Sequence, residues 1–388
     1  MTLFSTILEE KATYRRLLDL RGDLAQMSLN VLQRIIQSLP AKHQTMFGVA
    51  LLRLSARSSL LPSCFILGGV ERESDACTCG GFGDIYKGTF RGHRVCVKMV
   101  RVCGPSCMDY ARTFKMFSKE AGVWSQVRHP NVLPFYGVHL DGKYRRMCLV
   151  SPWMENGNIC EYLSINPHAN RLSLARDVAH GLTHLHYKNI IHGDLKGPNV
   201  LISSSGRACL ADFGLAYMSA PGILEWTSVR SSTHGCGTVR WNAPELIESD
   251  KGIASKNSDV YAFGCVCYEI FVDAVPFHEI THDLSVILAI VKGKKPSKPS
   301  DNSKPFTSWG LTDNIWNLME QCWDSNPQHR PTAGNASQQL PHPPAYSRKK
   351  AQENEEATSR SQLRAAVMED NEGGIPLALM EVLREVGW

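Results

Sequence analysis

The chain of 388 residues has no long uninterrupted apolar run. Its most apolar stretch, residues 47–70, is broken by Arg53, Arg57 and Pro62, whereas a bilayer core calls for about 20 consecutive apolar residues. The opening MTLFSTILEEKATYRR carries Glu9 and Glu10 where a secretory signal would stay apolar, so it is not read as one. Charge of one sign is also missing: 42 basic and 37 acidic residues leave a net +5, spread thinly, which argues against nucleic acid as a partner. A cysteine framework is absent too. The 13 cysteines are odd in number, and neither Cys77 with Cys79 nor Cys103 with Cys107 is completed by a second pair at zinc spacing. Free thiols fit this usage and a reducing compartment, so a cytoplasmic location is expected. No internal repeat is visible. Arg21-Gly22-Asp23 and Asn335-Ala336-Ser337 resemble an integrin ligand and a glycosylation site, and both are read as chance matches.

What is present is enough apolar content, 43%, to build a sizeable core. The length fits two or three domains, or one large domain with extensions. Residues 1–62 form an expected helical extension. From Asp23 the residues Leu24, Met27, Val31, Leu32, Ile35 and Ile36 recur at helical spacing, and Pro40 ends the run. Asp23 with Gln26 fits an N-cap and its reciprocal partner. A second helix is expected over Thr45–Leu54. Packing on the following domain is the plain reading of these helices, and a regulatory partner is the alternative. Short β-branched runs then predict strands at Phe65–Leu67, Asp84–Tyr86, Val95–Val97 and Cys148–Val150. From Asn158 onward helical periodicity dominates, as at Ser173–His186 and Ser285–Lys292. A strand-rich part followed by a helix-rich part gives two unequal lobes, assigned to residues 63–335. Residues 336–388 are polar, charged and proline-bearing and read as a mostly disordered tail. A short amphipathic helix is expected at Ile375–Trp388.

Four motifs lie in order along the middle. TCGGFGDIYKG (78–88) is a turn between strands whose glycines let backbone N–H groups approach a phosphate; alone it is no more than a β-turn. VCVK (95–98) ends an apolar strand on Lys98, which alone would be an edge lysine facing water. Glu120, on a predicted helix in FSKEAGVWSQVRHPNV, offers that lysine an ionic partner. HGDLKGPN (192–199) is rich in turn residues yet sits between the apolar runs IIH and VLI. ADFG (211–214) follows it and precedes Ala243-Pro244-Glu245.

In that order and spacing, residues from about 65 to 333 resemble a eukaryotic protein kinase domain. They are most similar to serine/threonine kinases of the tyrosine-kinase-like group, through HPNVLPFYG (129–137), LVSPWMENGNI (149–159), GTVRWNAPE (237–245), SDVYAFG (258–264) and CWDSNPQHRPT (322–332). The resemblance implies an α+β, two-lobed kinase fold with ATP and magnesium in the cleft, and an enzyme that phosphorylates protein serine and threonine in intracellular signalling. It implies Asp194 as the base that takes or orients the acceptor's proton. Lys196 would offset charge at the γ-phosphate, and Lys98 paired with Glu120 would hold the α- and β-phosphates. Asn199 and Asp212 are the implied magnesium ligands. Gly80, Gly81, Phe82, Gly83, Ile85, Cys96, Lys98, Ser151, Trp153, Met154 and Leu201 are the implied nucleotide contacts, with Ser151 as gatekeeper and Pro152–Met154 as the hinge. Glu245 with Arg330 resembles the ion pair that anchors the activation segment, and Asp259 resembles the helix aspartate under the catalytic loop.

Lys196 two residues after Asp194, with Thr238 before Ala243-Pro244-Glu245, is the serine/threonine pattern, and tyrosine is the minority option. Three departures stand out. Thr78 replaces the first loop glycine, and prolines after Arg330-Pro331-Thr332 shorten the expected last helix. Gly193 stands where most such kinases carry an arginine that binds a phosphate on the activation loop. The expectation is an active kinase independent of that switch, with Ser228, Ser231, Ser232 and Thr233 as sites whose modification has a lesser effect. The alternative is a catalytically idle scaffold that binds nucleotide and partners. Such relatives lack the lysine, the base or a metal ligand, and all three are present. A small-molecule kinase would not need the Ala243-Pro244-Glu245 segment that shapes a peptide groove.

Overall fold

The computed structural model describes residues 8, 10–39, 41–80, 83–101, 107–141, 146–219, 239–249 and 252–342. Among the described residues three helices come first: α1 (Lys11–Asp19), α2 (Gly22–Ser38) and α3 (Ala41–Ser58). The helical spacing read from the sequence closes a small core in which Ala25, Leu29, Leu32 and Ile36 of α2 meet Leu17, Phe47, Leu51 and Leu54. Each large side chain so buried stabilises by roughly 1.5–3 kcal/mol over leaving it exposed. The expected cap is not formed. α2 begins at Gly22 behind Arg21, which makes no side-chain cap bond, and Asp23 lies in the first turn, where a carboxylate still favours the positive helix end. Gln26 turns away and donates to the Leu61 carbonyl at 2.8 Å, tying α2 to the entry of the next domain.

The strands β1 (Val70–Gly80), β2 (Gly83–Phe90), β3 (His93–Met99), β4 (Gly137–Asp141) and β5 (Arg146–Pro152) form one antiparallel sheet in the order β1-β2-β3-β5-β4. Three of the expected strands fall inside β2, β3 and β5. Phe65–Leu67 does not. Ser63–Phe65 is a 3-10 turn closed by the Phe65 N–H on the Pro62 carbonyl at 2.9 Å, and Ile66 makes a single bridge to Val138. Phe65 is buried by its ring, edge-on to Phe135 with centroids 5.6 Å apart, and needs no strand ladder to be apolar. Helix α4 (Cys107–Ser125) packs Phe117 and Ala121 into the core that also holds Leu149 of β5.

The larger lobe contains α5 (Ile159–Ile165), α6 (Arg171–Tyr187), α7 (Pro244–Glu248), α8 (Lys256–Val272), α9 (Asp283–Val291), α10 (Lys304–Thr307), α11 (Asp313–Cys322) and α12 (Ala333–Gln339). Two small ladders, β6 (Ile190–Ile191) with β9 (Tyr217–Met218) and β7 (Val200–Ile202) with β8 (Ala208–Leu210), frame the loops between the lobes. α6 and α9 cover the helices read from periodicity. The central element is α8, buried at every residue from Ser258 to Phe271. A helix apolar on all sides belongs in the middle of a core. Ser255 caps it by accepting the Ser258 N–H at 3.1 Å.

The last helix is short, as the prolines suggest, but the packed chain runs beyond 335: Ala336 and Leu340 are buried. Small and amide residues in this stretch form one face of that helix. Residues 375–388 lie outside the described residues. Among those described, no helix is long and apolar enough to cross a membrane.

Candidate active site

β3 carries Lys98 to the cleft in register with Ile85 of β2 and Leu149 of β5. Its Nζ donates to Glu120 Oε1 at 2.9 Å and to Asp212 Oδ1 at 2.8 Å. Burial opposes the ammonium, yet the two carboxylates outweigh it and hold the Lys98 pKa above the usual lysine range. Burial also pushes up the Glu120 carboxyl, against the pull of Lys98. For Asp212 the lysine wins over burial, and its pKa lies below the ordinary value. The group nearest the cleft is thus an ionised aspartate, poised by a lysine whose charge is fixed. Asp212 sits at φ +63, a left-handed geometry that costs a non-glycine residue on the order of 1–3 kcal/mol and clusters at functional sites. Behind it, Phe213 stacks on Trp124 of α4, centroids 5.7 Å apart, and lies against His192 at 5.6 Å.

The 192–199 loop is held from below by Asp259 of α8. Its Oδ2 accepts the His192 N–H at 2.9 Å and its Oδ1 accepts the Gly193 N–H at 2.9 Å. His186 Nε2 also lies 2.9 Å from Oδ2. Asp194 faces the other way. Its Oδ2 accepts from Lys196 Nζ at 2.8 Å and from Asn199 Nδ2 at 3.0 Å. Its Oδ1 is buried with no hydrogen-bond partner. Burial raises the Asp194 pKa and Lys196 opposes it. That oxygen is open to accept a hydrogen bond from a group outside the loop.

Asn199 gives its amide nitrogen to the Asp194 carbonyl at 2.8 Å as well, so its amide oxygen is the atom turned to other uses. That oxygen and the carboxylate of Asp212 are hard donors of the kind magnesium takes, so the donor set fits the ion the sequence implies.

The nucleotide contacts expected from sequence are brought together in part. Gly80 ends β1 opposite Gly83 of β2. Gly83 has φ +148, and a Cβ there would lie 2.4 Å from the Met99 carbonyl oxygen, so no side chain fits. Gly81 and Phe82 lie outside the described residues. Cys96 pairs with Ser151 across β3 and β5, and burial pushes its thiol up to about 11. It is a small apolar wall, not a nucleophile. Ser151 and Met154 are buried and Leu201 is half-buried. In the hinge Pro152 has no N–H, and the Trp153 amide donates to the Arg94 carbonyl at 3.3 Å. The Met154 amide is therefore the candidate donor to a base, and Trp153 contributes its ring beside Lys87, 4.9 Å from the centroid.

The Glu245–Arg330 ion pair expected from the resemblance is formed. Arg330 grips Glu245 with two bonds of 2.7 and 2.8 Å and donates to the Asn257 carbonyl at 3.0 Å. Ser228, Ser231, Ser232, Thr233 and Thr238 lie outside the described residues.

One residue escaped the sequence reading. Glu269, deep in α8, accepts the Gly197 N–H of the loop at 2.8 Å and the Trp241 Nε1–H at 2.8 Å. The Cys160 thiol points to it at 3.6 Å. It couples the 192–199 loop to the segment before Ala243-Pro244-Glu245. A carboxylate inside the apolar run CVCYEIF was the available signal, since a buried charge needs partners.

Residues 74–340, more than half of the chain, match the family model described as protein tyrosine and serine/threonine kinase. The chain is 29% identical over 289 residues to Serine/threonine-protein kinase STY17 of Arabidopsis thaliana, covering 71% of this chain and 46% of that protein. It is 30% identical over 261 residues to Serine/threonine/tyrosine-protein kinase HT1 of the same organism, covering 66% and 62%. Dual specificity protein kinase splA of Dictyostelium discoideum is 30% identical over 281 residues, covering 65% and 10%. The chain spans less than two thirds of the length of each of these relatives.

Proposed function

Because the chain belongs to the protein tyrosine and serine/threonine kinase family, we propose that it transfers the γ-phosphoryl group of MgATP to serine and threonine hydroxyls of proteins, as part of intracellular signalling. The observation that carries this reading is the closed set of Lys98, Glu120 and Asp212 at 2.8–2.9 Å beside a buried Asp194 oxygen that lacks a partner. A protein that only bound partners would have no use for that arrangement.

Asp212 and Asn199 would hold magnesium, which neutralises phosphate charge. Lys98, kept charged by its two carboxylates, binds the α- and β-phosphates. Asp194 Oδ1 accepts or orients the acceptor hydroxyl's proton, and Lys196 steadies that carboxylate and the charge that grows on the transferred group. Gly80 and Gly83 let backbone come close to the phosphates, with Gly81 and Phe82 completing the turn. Ile85, Cys96, Ser151, Met154 and Leu201 line the base site. Lys196 supports the serine/threonine choice, and the relatives named above include both serine/threonine and dual-specificity kinases.

The test is γ-phosphate transfer by the purified chain to itself and to a generic basic protein, beside Asp194→Asn. Phosphoserine or phosphothreonine that disappears in the variant supports the reading. Bound MgATP with no transfer would replace it with a scaffold.

A further inference from the structure

The N-terminal helices do not stand apart from the cleft. α3 touches the parts of the site that must be in place together. Gly122 of α4 lies two residues after Glu120, and a methyl built on it would come 2.3 Å from Leu52 Cδ2 of α3. Gly48, one turn earlier on α3, faces Met218 of β9, shortly after Asp212. A methyl there would come 2.7 Å from Met218 Cε. Gln33 accepts from Gln126, just past α4, at 3.0 Å, and Gln44 accepts from Lys188 at the end of α6. Leu52 is buried in the same core as Phe117, Ala121, Trp124 and Phe213.

Glycine inside a helix costs roughly 0.5–1 kcal/mol relative to alanine. Here one glycine stands in each of two helices, and in each case the end of a neighbouring side chain, Met218 or Leu52, fills the space a methyl would need, so that side chain would have to shift. Close approach is what the pair obtains for that cost. The contact bears on chemistry through two short links. Moving α4 outward lengthens the 2.9 Å bond between Lys98 and Glu120 and unstacks Trp124 from Phe213. Moving β9 shifts the chain that leaves Asp212.

Resting on the kinase reading above, we propose that α3 is a built-in strut for the catalytic cleft, with Gly48, Leu52 and Gly122 as positioning residues that set Glu120 and the segment after Asp212. The extension is then a part of the catalytic unit, and displacing α3 is a route to switching the enzyme off that does not depend on a phosphate on the activation loop. By linkage, nucleotide binding must tighten α3 as much as α3 favours the nucleotide-binding arrangement.

The experiment uses the full chain as wild type, Gly122→Ala, Leu52→Ala, the double variant, and Arg57→Ala on the exposed side of α3 as control. kcat/KM for MgATP, the thermal midpoint, and hydrogen exchange of 41–58 and 109–125 with and without a non-hydrolysable ATP analogue are read for each. Gly122→Ala is a wedge that improves helix propensity, and kcat/KM is expected to fall roughly tenfold, mid-range for residues in contact. In the double variant the shortened side chain at 52 makes room for the new methyl, and most of the activity returns. The analogue slows exchange in 41–58 in the wild type and not in Gly122→Ala. Wild-type kcat/KM in the wedge variant overturns the proposal. So does a loss that follows the thermal midpoint and is not rescued in the double variant. If the wild type transfers no phosphate, the kinase reading fails on its own. The strut is then still judged by exchange, and unchanged exchange of 41–58 with bound analogue overturns it.

Discussion

Gly193 donates its backbone N–H to Asp259 Oδ1 at 2.9 Å, and it does so at φ +76. The 192–199 loop is therefore fixed to α8 through main-chain bonds that any residue could make, in a backbone conformation that glycine adopts without strain. Nothing in this attachment calls on a side chain at 193. A Cβ there would meet the Leu215 carbonyl oxygen at 3.2 Å and Ala254 Cβ at 3.6 Å, tight but not closed.

Gly193→Arg is expected to cost about 1–2 kcal/mol of stability, the left-handed penalty of an L-residue, while turnover stays near wild type. Denaturant unfolding and the transfer assay read the two effects separately. Phosphatase treatment of the wild type is expected to leave activity in place. Its abolition, with recovery by an acidic residue at one of 228, 231, 232 or 233, would restore a phosphate switch and sink this view of the glycine.

The Arg330–Glu245 grip makes a different kind of prediction. Arg330 is fully buried, whereas the Glu245 side chain is 28% exposed. Glu245→Ala leaves the guanidinium without its counter-charge. Removing one partner of a buried pair costs about 3–5 kcal/mol, and the partial exposure of Glu245 puts this case near the lower figure. Arg330→Lys keeps the charge but not the fork, so it is expected to lose part of the same stability. The order Glu245→Ala below Arg330→Lys below wild type in thermal midpoint is the check, and a reversed order would refute the bidentate account.

Glu269 links stability to pH. Burial raises its carboxyl to about 7, against the hydrogen bonds from Trp241 and Gly197, from an ordinary value of 4.5. Between those values the folded chain holds a proton that the unfolded chain has released. Stability therefore falls as pH rises from about 4.5 to about 7 and levels off above. At 1.36 kcal/mol per unit the full effect is about 3 kcal/mol. Glu269→Gln has no proton to lose, so its unfolding free energy is expected to lack this slope and to gain on the wild type above neutrality. Parallel curves for the two proteins from pH 5 to 8 would contradict it.

How much of this was legible beforehand differs by the kind of information. That Lys98 meets Glu120 and Asp212, and that Asp194 meets Asn199, was readable because short motifs carry these residues. The buried face of α2 was readable because periodicity reports burial directly. Phe65–Leu67 was misread because an apolar triplet says that it is buried and not how its backbone is bonded. Asp23 was misread as a cap because a cap depends on where the backbone enters the helix, here two residues earlier, at Arg21. Glu269 and the Gly48–Met218 and Gly122–Leu52 contacts depend on residues far apart in the chain. No local pattern carries these contacts, although the carboxylate inside CVCYEIF marks Glu269 itself.

Lys196 gives the sharpest pH prediction at the chemical centre. Asp194 must be ionised to take a proton. Its pKa stands above the ordinary aspartate value through burial, and Lys196, 2.8 Å from Oδ2, opposes that rise. Lys196→Ala removes the opposition and leaves the burial. The Asp194 pKa then climbs further, so the acidic limb of kcat/KM moves to higher pH. Lys196→Arg keeps the charge and is expected to leave the limb close to its wild-type position at a lower maximum. Asp194→Asn abolishes the limb and lowers kcat by about 10²–10⁴-fold, the usual share of a general base. A profile measured from pH 5 to 9 distinguishes two roles for the lysine. An acidic limb that stays fixed in Lys196→Ala while the maximum falls means that Lys196 acts on the transferred phosphoryl group alone. A limb that moves means that it also sets the charge of the base.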